Sequence, residues 1–290
     1  MSNPRLGLAQ IHLAVLLAGG AGLFAKLLPV GPLVLTGGRT AFGSLALLLA
    51  ALLTGTSLRL HEPRDLVALL ISGLLLAAHW FTFFLAIQVS TVAIGLLAFA
   101  TFPLFLTFLE PLFFGERLRR RDVLAALAVS AGLLLVTPSF DAGDRLTRGL
   151  LWGMVSAFTY ALLALLSRRY AGRYPAICIS FYQQGVAALC MLPLALAAPW
   201  QGSLDARSLA GLVLLGVVFT ALGQGLVVAS LRHLRAQTAG VIFGLEPVYG
   251  ILLAWLLLAE VPALRTLLGG ALICGAALWA SLARRERGAH

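Results

Sequence analysis

Charge is scarce in this sequence. Acidic and basic residues together make up 11% of its 290 residues, where a soluble domain carries roughly 25%. A chain this poor in charge cannot coat itself for water. Its 60% hydrophobic share and mean hydropathy of +0.98 make lipid the expected solvent for most of its exterior. Cysteine is scarce too. Cys178, Cys190 and Cys274 each lie inside an apolar run, with no CxxC or metal-ligand spacing, which argues for small packing residues rather than disulfides or ligands. No P-loop, HExxH or GxSxG occurs, so the chain carries no ATP-binding or hydrolase signature of its own. The eleven acids do not cluster, which argues against a membrane enzyme acting on lipid-linked substrates. The N-terminal stretch MSNPRLGLAQIHLAVLLAGG lacks a cleavage site followed by a polar region and reads as a first span rather than a signal peptide.

What is present is a succession of apolar runs. A helix needs about 20 apolar residues to cross a hydrocarbon core, and in lipid the backbone must satisfy itself internally, so the runs are expected to be helices. Ten are placed near 7–28, 32–54, 65–86, 91–114, 122–138, 149–167, 176–198, 208–231, 236–258 and 263–283. The net charge of +10 sits in the short loops between them, with no basic helix or aromatic–basic interleaving, so no nucleic-acid partner is expected. With the N-terminus inside, the inner loops hold Arg5, Arg59, Arg64, Arg117, Arg119, Arg120, Arg121, Arg168, Arg169, Arg173, Arg232, Arg235, Arg284, Arg285 and Arg287. The outer loops hold only Arg145, Arg148, Arg207 and Arg265. This loop-by-loop alternation predicts both termini in the cytoplasm.

The two halves repeat. FATFPLFLTFLEPLFFGERL in the first resembles FGLEPVYGILLAWLLLAEVP in the second, pairing Pro103 with Pro247 and Glu116 with Glu260. LAALAVSAGLLLV then matches LGGALICGAALWA, setting Gly132 opposite Gly275, and more weakly Lys26 falls near Arg168. Five spans per half is an odd number, so the second half, 149–283, must be inverted relative to the first, 7–138. Inverted repeats suit a protein with two states of similar energy, one open to each side.

These repeated segments resemble the EamA family of the drug/metabolite transporter superfamily. The resemblance rests on the paired Pro103/Pro247, the span-end Glu116/Glu260 and the Gly/Ala-rich spans around Gly132 and Gly275. It implies an all-α carrier of ten transmembrane helices whose cavity is built mainly from spans one to four and six to nine, with the fifth and tenth peripheral. It also implies a multi-pass protein of the bacterial inner membrane that exports small molecules without a cofactor. Within the family the chain looks most like the aromatic and neutral amino-acid exporters, as a monomer or homodimer.

Polar side chains within spans usually face a cavity or one another. His79, Trp80 and Phe83 share a helical face in LLLAAHWFTFFLA. His79 either meets a substrate head group or bonds a neighbouring helix, with Trp80 or Phe83 stacking on the substrate. Glu246, near the middle of the ninth span, is a site for an amine or a proton, or a carboxylate kept neutral or paired. Pro103 and Pro247 each remove a backbone donor in mid-membrane, which frees a carbonyl for substrate, makes a hinge, or is a packing kink. Gln183, Gln184 and Gln224 suit a zwitterion, or serve as glue between helices. Tyr160 and Phe99 are central aromatics, for packing or for ligand. Glu110 can snorkel inward, and Lys26 and Arg39 are read as lying toward the outer face, snorkelling or drawing in a carboxylate. The expected function is a secondary transporter exporting aromatic or neutral amino acids, or related metabolites, by alternating access. Efflux of lipophilic drugs or sugar-linked metabolites is the alternative.

Overall fold

The structure, a computed structural model, describes residues 4–115, 120–136, 141, 143–170, 172–198, 204–230, 233, 234 and 242–285. Among these every regular element is a helix. In chain order they are α1 (Pro4–Ala21), α2 (Phe24–Leu27), α3 (Pro32–Thr54), α4 (Pro63–Val89), α5 (Val92–Phe99), α6 (Phe102–Phe114), α7 (Arg120–Val136), α8 (Arg145–Tyr170), α9 (Ala176–Ala197), α10 (Ala206–Gly216), a π-helical stretch (Val217–Leu222), α11 (Gly223–Ser230), α12 (Glu246–Leu258) and α13 (Leu264–Arg285). Glu116 and Gly240 lie outside the described residues.

Local chemistry sets the helix ends. Pro32 and Pro63 open α3 and α4, where a missing N–H and a fixed φ cost nothing. Gly55 and Gly115 close α3 and α6 at φ of +64° and +67°, in the left-handed region. Side chains accept the first-turn amides elsewhere: Thr91 from Ile94, Asp144 from Thr147 and Asp205 from Ser208. Within the helices, the hydroxyls of Thr36, Ser72, Thr82, Thr107, Ser130 and Thr159 donate back to the carbonyl four residues earlier. Small polar side chains thereby become tolerable in lipid.

Among the described residues, seven stretches are long and apolar enough to cross a membrane: Pro4–Leu27, Pro32–Thr54, Pro63–Val89, Val92–Phe113, Arg145–Tyr170, Ala176–Ala197 and Ala206–Val227. Val123–Val136, Glu246–Leu258 and Leu264–Ala276 are apolar but shorter, and fall where the fifth, ninth and tenth spans are expected. The outside is apolar as well. Leu45, Leu49, Leu52 and Leu53 on α3, Leu189 and Leu196 on α9, and Leu252, Trp255 and Leu256 on α12 are all exposed, as a lipid-facing surface requires.

The helices pack in a fixed set of partnerships. α3 lies on α9; α4 lies on α8 and α9, while α1 lies on α11 and α3 on α10. α5 and α6 lie on α8, while α12 lies on α1 and on α5. α7 and α13 pack mainly on each other. Crossings at glycines bring backbones together. A Cβ at Gly19 would sit 2.8 Å from Gly250 N, and one at Gly250 2.9 Å from Gly19 O, so α1 and α12 touch backbone to backbone. α7 crosses α13 at Gly132 and Gly269 in the same way, with 2.8 Å from a Gly132 Cβ to Gly269 O. The sequence match sets Gly132 opposite Gly275, but a Cβ at Gly275 meets nothing within 4 Å. Equivalence between repeats is a different relation from contact.

Candidate functional site

The long segments are interrupted at several points, and the interruptions meet. α5 ends at Phe99 and α6 starts at Phe102 after a break at Ala100–Thr101. α12 starts at Glu246, after the turn at Gly244–Leu245. Pro103 and Pro247 are each the second residue of a helix, so they do not break an intact one from within as the sequence predicts. They occupy first turns, where the amide is unpaired anyway. Both line one small cleft together with Phe99, Phe102 and Glu246. Discontinuous helices of this kind place unpaired backbone beside a cavity, where it is tolerated.

A cavity of about 140 Å³ lies between these breaks and α1, α3, α4, α8 and α11. His79, Trp80, Phe83, Phe99, Tyr160, Gln224 and Glu246 all line it. Such a volume matches that of an engineered cavity that accepts a benzene ring. Its rings form one cluster. The His79 ring centroid is 5.0 Å from those of Phe99 and Tyr160, Phe99 is 5.8 Å from Phe83, and Phe102 closes the set at 5.1 Å from Tyr160.

Of the two alternatives the sequence leaves open for His79, the structure shows the bond to a neighbouring helix. Its Nδ1 lies 2.8 Å from Ser156 Oγ and 3.1 Å from Ser156 O, across the contact between α4 and α8. Ser156 Oγ in turn donates to His79 O at 3.0 Å. A hydroxyl already donating, and a carbonyl, can only accept from the ring, so this pattern assigns a proton to Nδ1. In the neutral ring, Nε2 is then the acceptor left on a residue that lines the cavity.

The residue that sequence reasoning misplaces is Arg39. Rather than snorkelling, it is buried at 8% exposure on the cavity wall. Its guanidinium lies 3.8 Å over the Trp80 ring centroid, and Nε donates to Thr220 Oγ1 at 2.8 Å. Thr220 is held by the π-helical stretch, donating to Leu215 O at 2.8 Å, five residues back. π-bulges are rare and often mark functional sites. The visible signal was an arginine eight residues into a span, too deep to dismiss as a snorkelling end. Phe219 and Thr220, which also line the cavity, carried no signal in sequence beyond lying in an apolar run.

The remaining candidates fall around this centre. Gln183 lines a second cavity of about 470 Å³, which shares Trp80, Tyr160 and Gln224 with the first and extends to Arg168 and Tyr174. Its Nε2 donates to Ser167 Oγ at 3.0 Å. Gln184 lines neither cavity; it is fully buried, donates to Gln224 Oε1 at 3.3 Å and packs onto Gly43. Glu110 pairs with Arg168 at 3.2 Å.

The two ends of the bundle are tied differently. At one end Lys26 Nζ donates to Ser90 O at 2.8 Å, at the end of α4, and Gln88 Nε2 to Val30 O at 2.8 Å. Glu260 accepts from Val92 N at 2.9 Å. The other end is ionic. Arg173 meets Asp65 at 3.1 Å and Glu62 at 2.9 Å, Tyr174 donates to Asp65 at 2.5 Å, and Arg64 pairs with Glu62. Hydrogen bonds from Arg64 and then Arg173 hold the Glu62 carboxyl below its ordinary range. Burial, reinforced by the bond to Asp65, pushes the Tyr174 phenol up.

Helices of membrane-crossing length, an apolar exterior and a solute-sized cavity at helix breaks define a multi-pass membrane transporter. Residues 5–137 and 147–282 each match the model of the EamA-like transporter family, and the chain belongs to it. Its relatives carry transport names. An uncharacterized transporter of Archaeoglobus fulgidus is 30% identical over 202 residues, which is 68% of this chain and 70% of that protein. The pseudopaline exporter CntI of Pseudomonas aeruginosa is 29% identical over 188 residues, 64% of each chain. The uncharacterized transporter YdfC of Bacillus subtilis is 28% identical over 198 residues, 66% of this chain and 63% of its own. The last two matches therefore span less than two thirds of those proteins. One solved crystal structure shares the fold, with a TM-score of 0.67 at 24% identity, over 98% of this chain and 97% of the other. Family and relatives agree on a transporter.

Proposed function

We propose that this chain is a secondary transporter of the bacterial inner membrane that exports aromatic or neutral amino acids, or closely related metabolites, by alternating access. The observation that carries the proposal is the central cavity: ring-sized, walled by the aromatic cluster around His79, and furnished with one buried cation and one buried carboxylate. An amino acid with a planar side chain has the complementary chemistry. The name of the Pseudomonas relative supports a metabolite as cargo without fixing which one.

We read the architecture as ten spans in two inverted halves, 7–138 and 149–283, with both termini cytoplasmic. Exchanging each span for the one five places along returns the larger contacts between the halves. α4 on α8 becomes α10–α11 on α1, α5–α6 on α8 becomes α12 on α1, and α3 on α9 and α7 on α13 become themselves. That self-consistency supports the inverted repeat. In this orientation the larger cavity, bordered by Arg168 and Tyr174, faces the cytoplasm, and the Lys26–Ser90 tie closes the outer end. The conformation is then one that loads substrate from inside. A second reading, efflux of lipophilic compounds, draws on the apolar groove beside Pro247 and Cys274.

Liposomes containing the purified protein provide the test. Saturable counterflow of phenylalanine, competed by tryptophan and by neutral amino acids, is the expected result. Transport of lipophilic cations with none of phenylalanine would move the assignment to the second reading. Equal phenylalanine flux with and without a pH gradient would exclude obligatory proton coupling.

A further inference from the structure

Arg39 and Glu246 are buried on the walls of the same cavity, and each is short of partners. Arg39 carries five N–H donors, and only Nε has a hydrogen bond among the described residues. The Glu246 carboxylate accepts no hydrogen bond and makes no ion pair among them. The two are farther apart than the 4.0 Å of a direct ion pair. One buried charge of each sign on the wall of one cavity, neither in a direct ion pair, is complementary to a molecule that carries both opposite charges. The local structure also holds Arg39 ready. Trp80 supports the face of the guanidinium and Thr220 fixes Nε, so its remaining donors are pre-oriented for a planar two-oxygen acceptor.

From this geometry we infer that Arg39 and Glu246 form a split clamp of fixed polarity, Arg39 taking the carboxylate of the substrate and Glu246 its amine, so that the site selects free zwitterions. The inference rests on the proposed amino-acid reading and adds the residues that read the two charges. The aromatic rings that line the same cavity take the side chain and contribute little to telling an amino acid from the corresponding amine or acid. Two unlike charges that are both met by one zwitterion leave the loaded cavity neutral, which suits passage through a low-dielectric interior.

Three ligands of one ring size separate these roles: phenylalanine, phenethylamine and 3-phenylpropionate, tested for thermal stabilisation of the detergent-solubilised full chain. Wild type should prefer phenylalanine to either of the others by about tenfold to hundredfold, as expected for a lost hydrogen bond to a charged group. Arg39→Gln should remove the preference for phenylalanine over phenethylamine, and Glu246→Gln the preference over 3-phenylpropionate. Arg39→Lys, which keeps the cation, should retain the order with weaker binding. Should Arg39→Gln fail to fold, the wild-type order and Arg39→Lys still decide the matter. Equal binding of all three ligands by wild type overturns the clamp alone, as does an equal loss for all three in both Gln variants, which would make the charges structural. No binding of any of the three by wild type overturns the amino-acid reading and the clamp with it.

Discussion

The first half of the chain brings His79, Trp80, Phe83 and Phe99 to the cavity together with the cation Arg39. The second brings Tyr160, Thr220, Gln224 and Glu246. The same division shows at the helix breaks. The break before α6 presents the rings of Phe99 and Phe102, and the break before α12 presents the ring of Phe243 with a carboxylate. Two halves with matching packing partners therefore line one cavity with unlike chemistry. Positions where the repeats agree, such as Pro103 and Pro247, shape the cavity. Positions where they differ give it a polarity.

The largest effect is expected at a backbone crossing of the halves. Gly250→Val would push a side chain against the Gly19 backbone, costing about 3 kcal/mol, the upper end for overpacking. Gly275→Val, with open space around it, should melt within a degree or two of wild type. If the two variants melted alike, the α1–α12 crossing would not be the rigid contact described. Next come the contributions to the cavity. Trp80→Leu removes the ring beneath Arg39 and should weaken phenylalanine binding about tenfold, the scale of a desolvated cation–π contact. Tyr160→Phe, which keeps the ring, should cost about threefold or less. Equal losses in equilibrium binding would erase the proposed division between the halves.

Ser156→Ala removes the hydroxyl that joins α8 to both the ring and the backbone of His79, and should lower stability by about 1 kcal/mol in thermal melts. The smallest effect is local and depends on acid. In the second half, α8 and α10 begin on Asp144 and Asp205, whose carboxyls are held below the ordinary aspartate range first by the backbone amides of Thr147 and Ser208. A depressed carboxyl contributes stability above its unfolded value, and that contribution is lost as pH falls through the folded one. In the first half α3 starts at a proline with no such cap and no acid in its first turn. Hydrogen exchange below about pH 4 should therefore open the first turns of α8 and α10 before that of α3. Asn at both positions, which caps without titrating, should remove the difference.

Much of this was legible because membrane helices advertise themselves. The apolar runs and the Pro and Gly punctuation placed most helix ends within a few residues, and polar or aromatic residues deep in a span picked out the cavity wall, His79 and Glu246 included. What sequence could not supply was which element lies opposite. Arg39 reads as a snorkelling cation until Trp80 and Thr220 come from other helices to hold it inside. Gln184 reads like Gln224 until packing sends it behind the wall. Gly132 finds Gly269 rather than its repeat mate, because the crossing point depends on the angle between two helices that neither segment encodes alone.

The π-helical stretch at Val217–Leu222 has a consequence for how this chain can be altered. A π turn carries one residue more than an α turn over the same length. Deleting a single residue there would let α10 run into α11 as unbroken α-helix with the downstream phase kept, so Gln224 would stay on the cavity side. What the deletion would remove is the wide turn itself, with the bond from Thr220 to Leu215 O five residues back and the hold on Arg39 Nε. The same deletion in the flanking α-helix would instead turn everything beyond it by about 100°, so the π turn can lose a residue without rephasing the site but not without loosening Arg39.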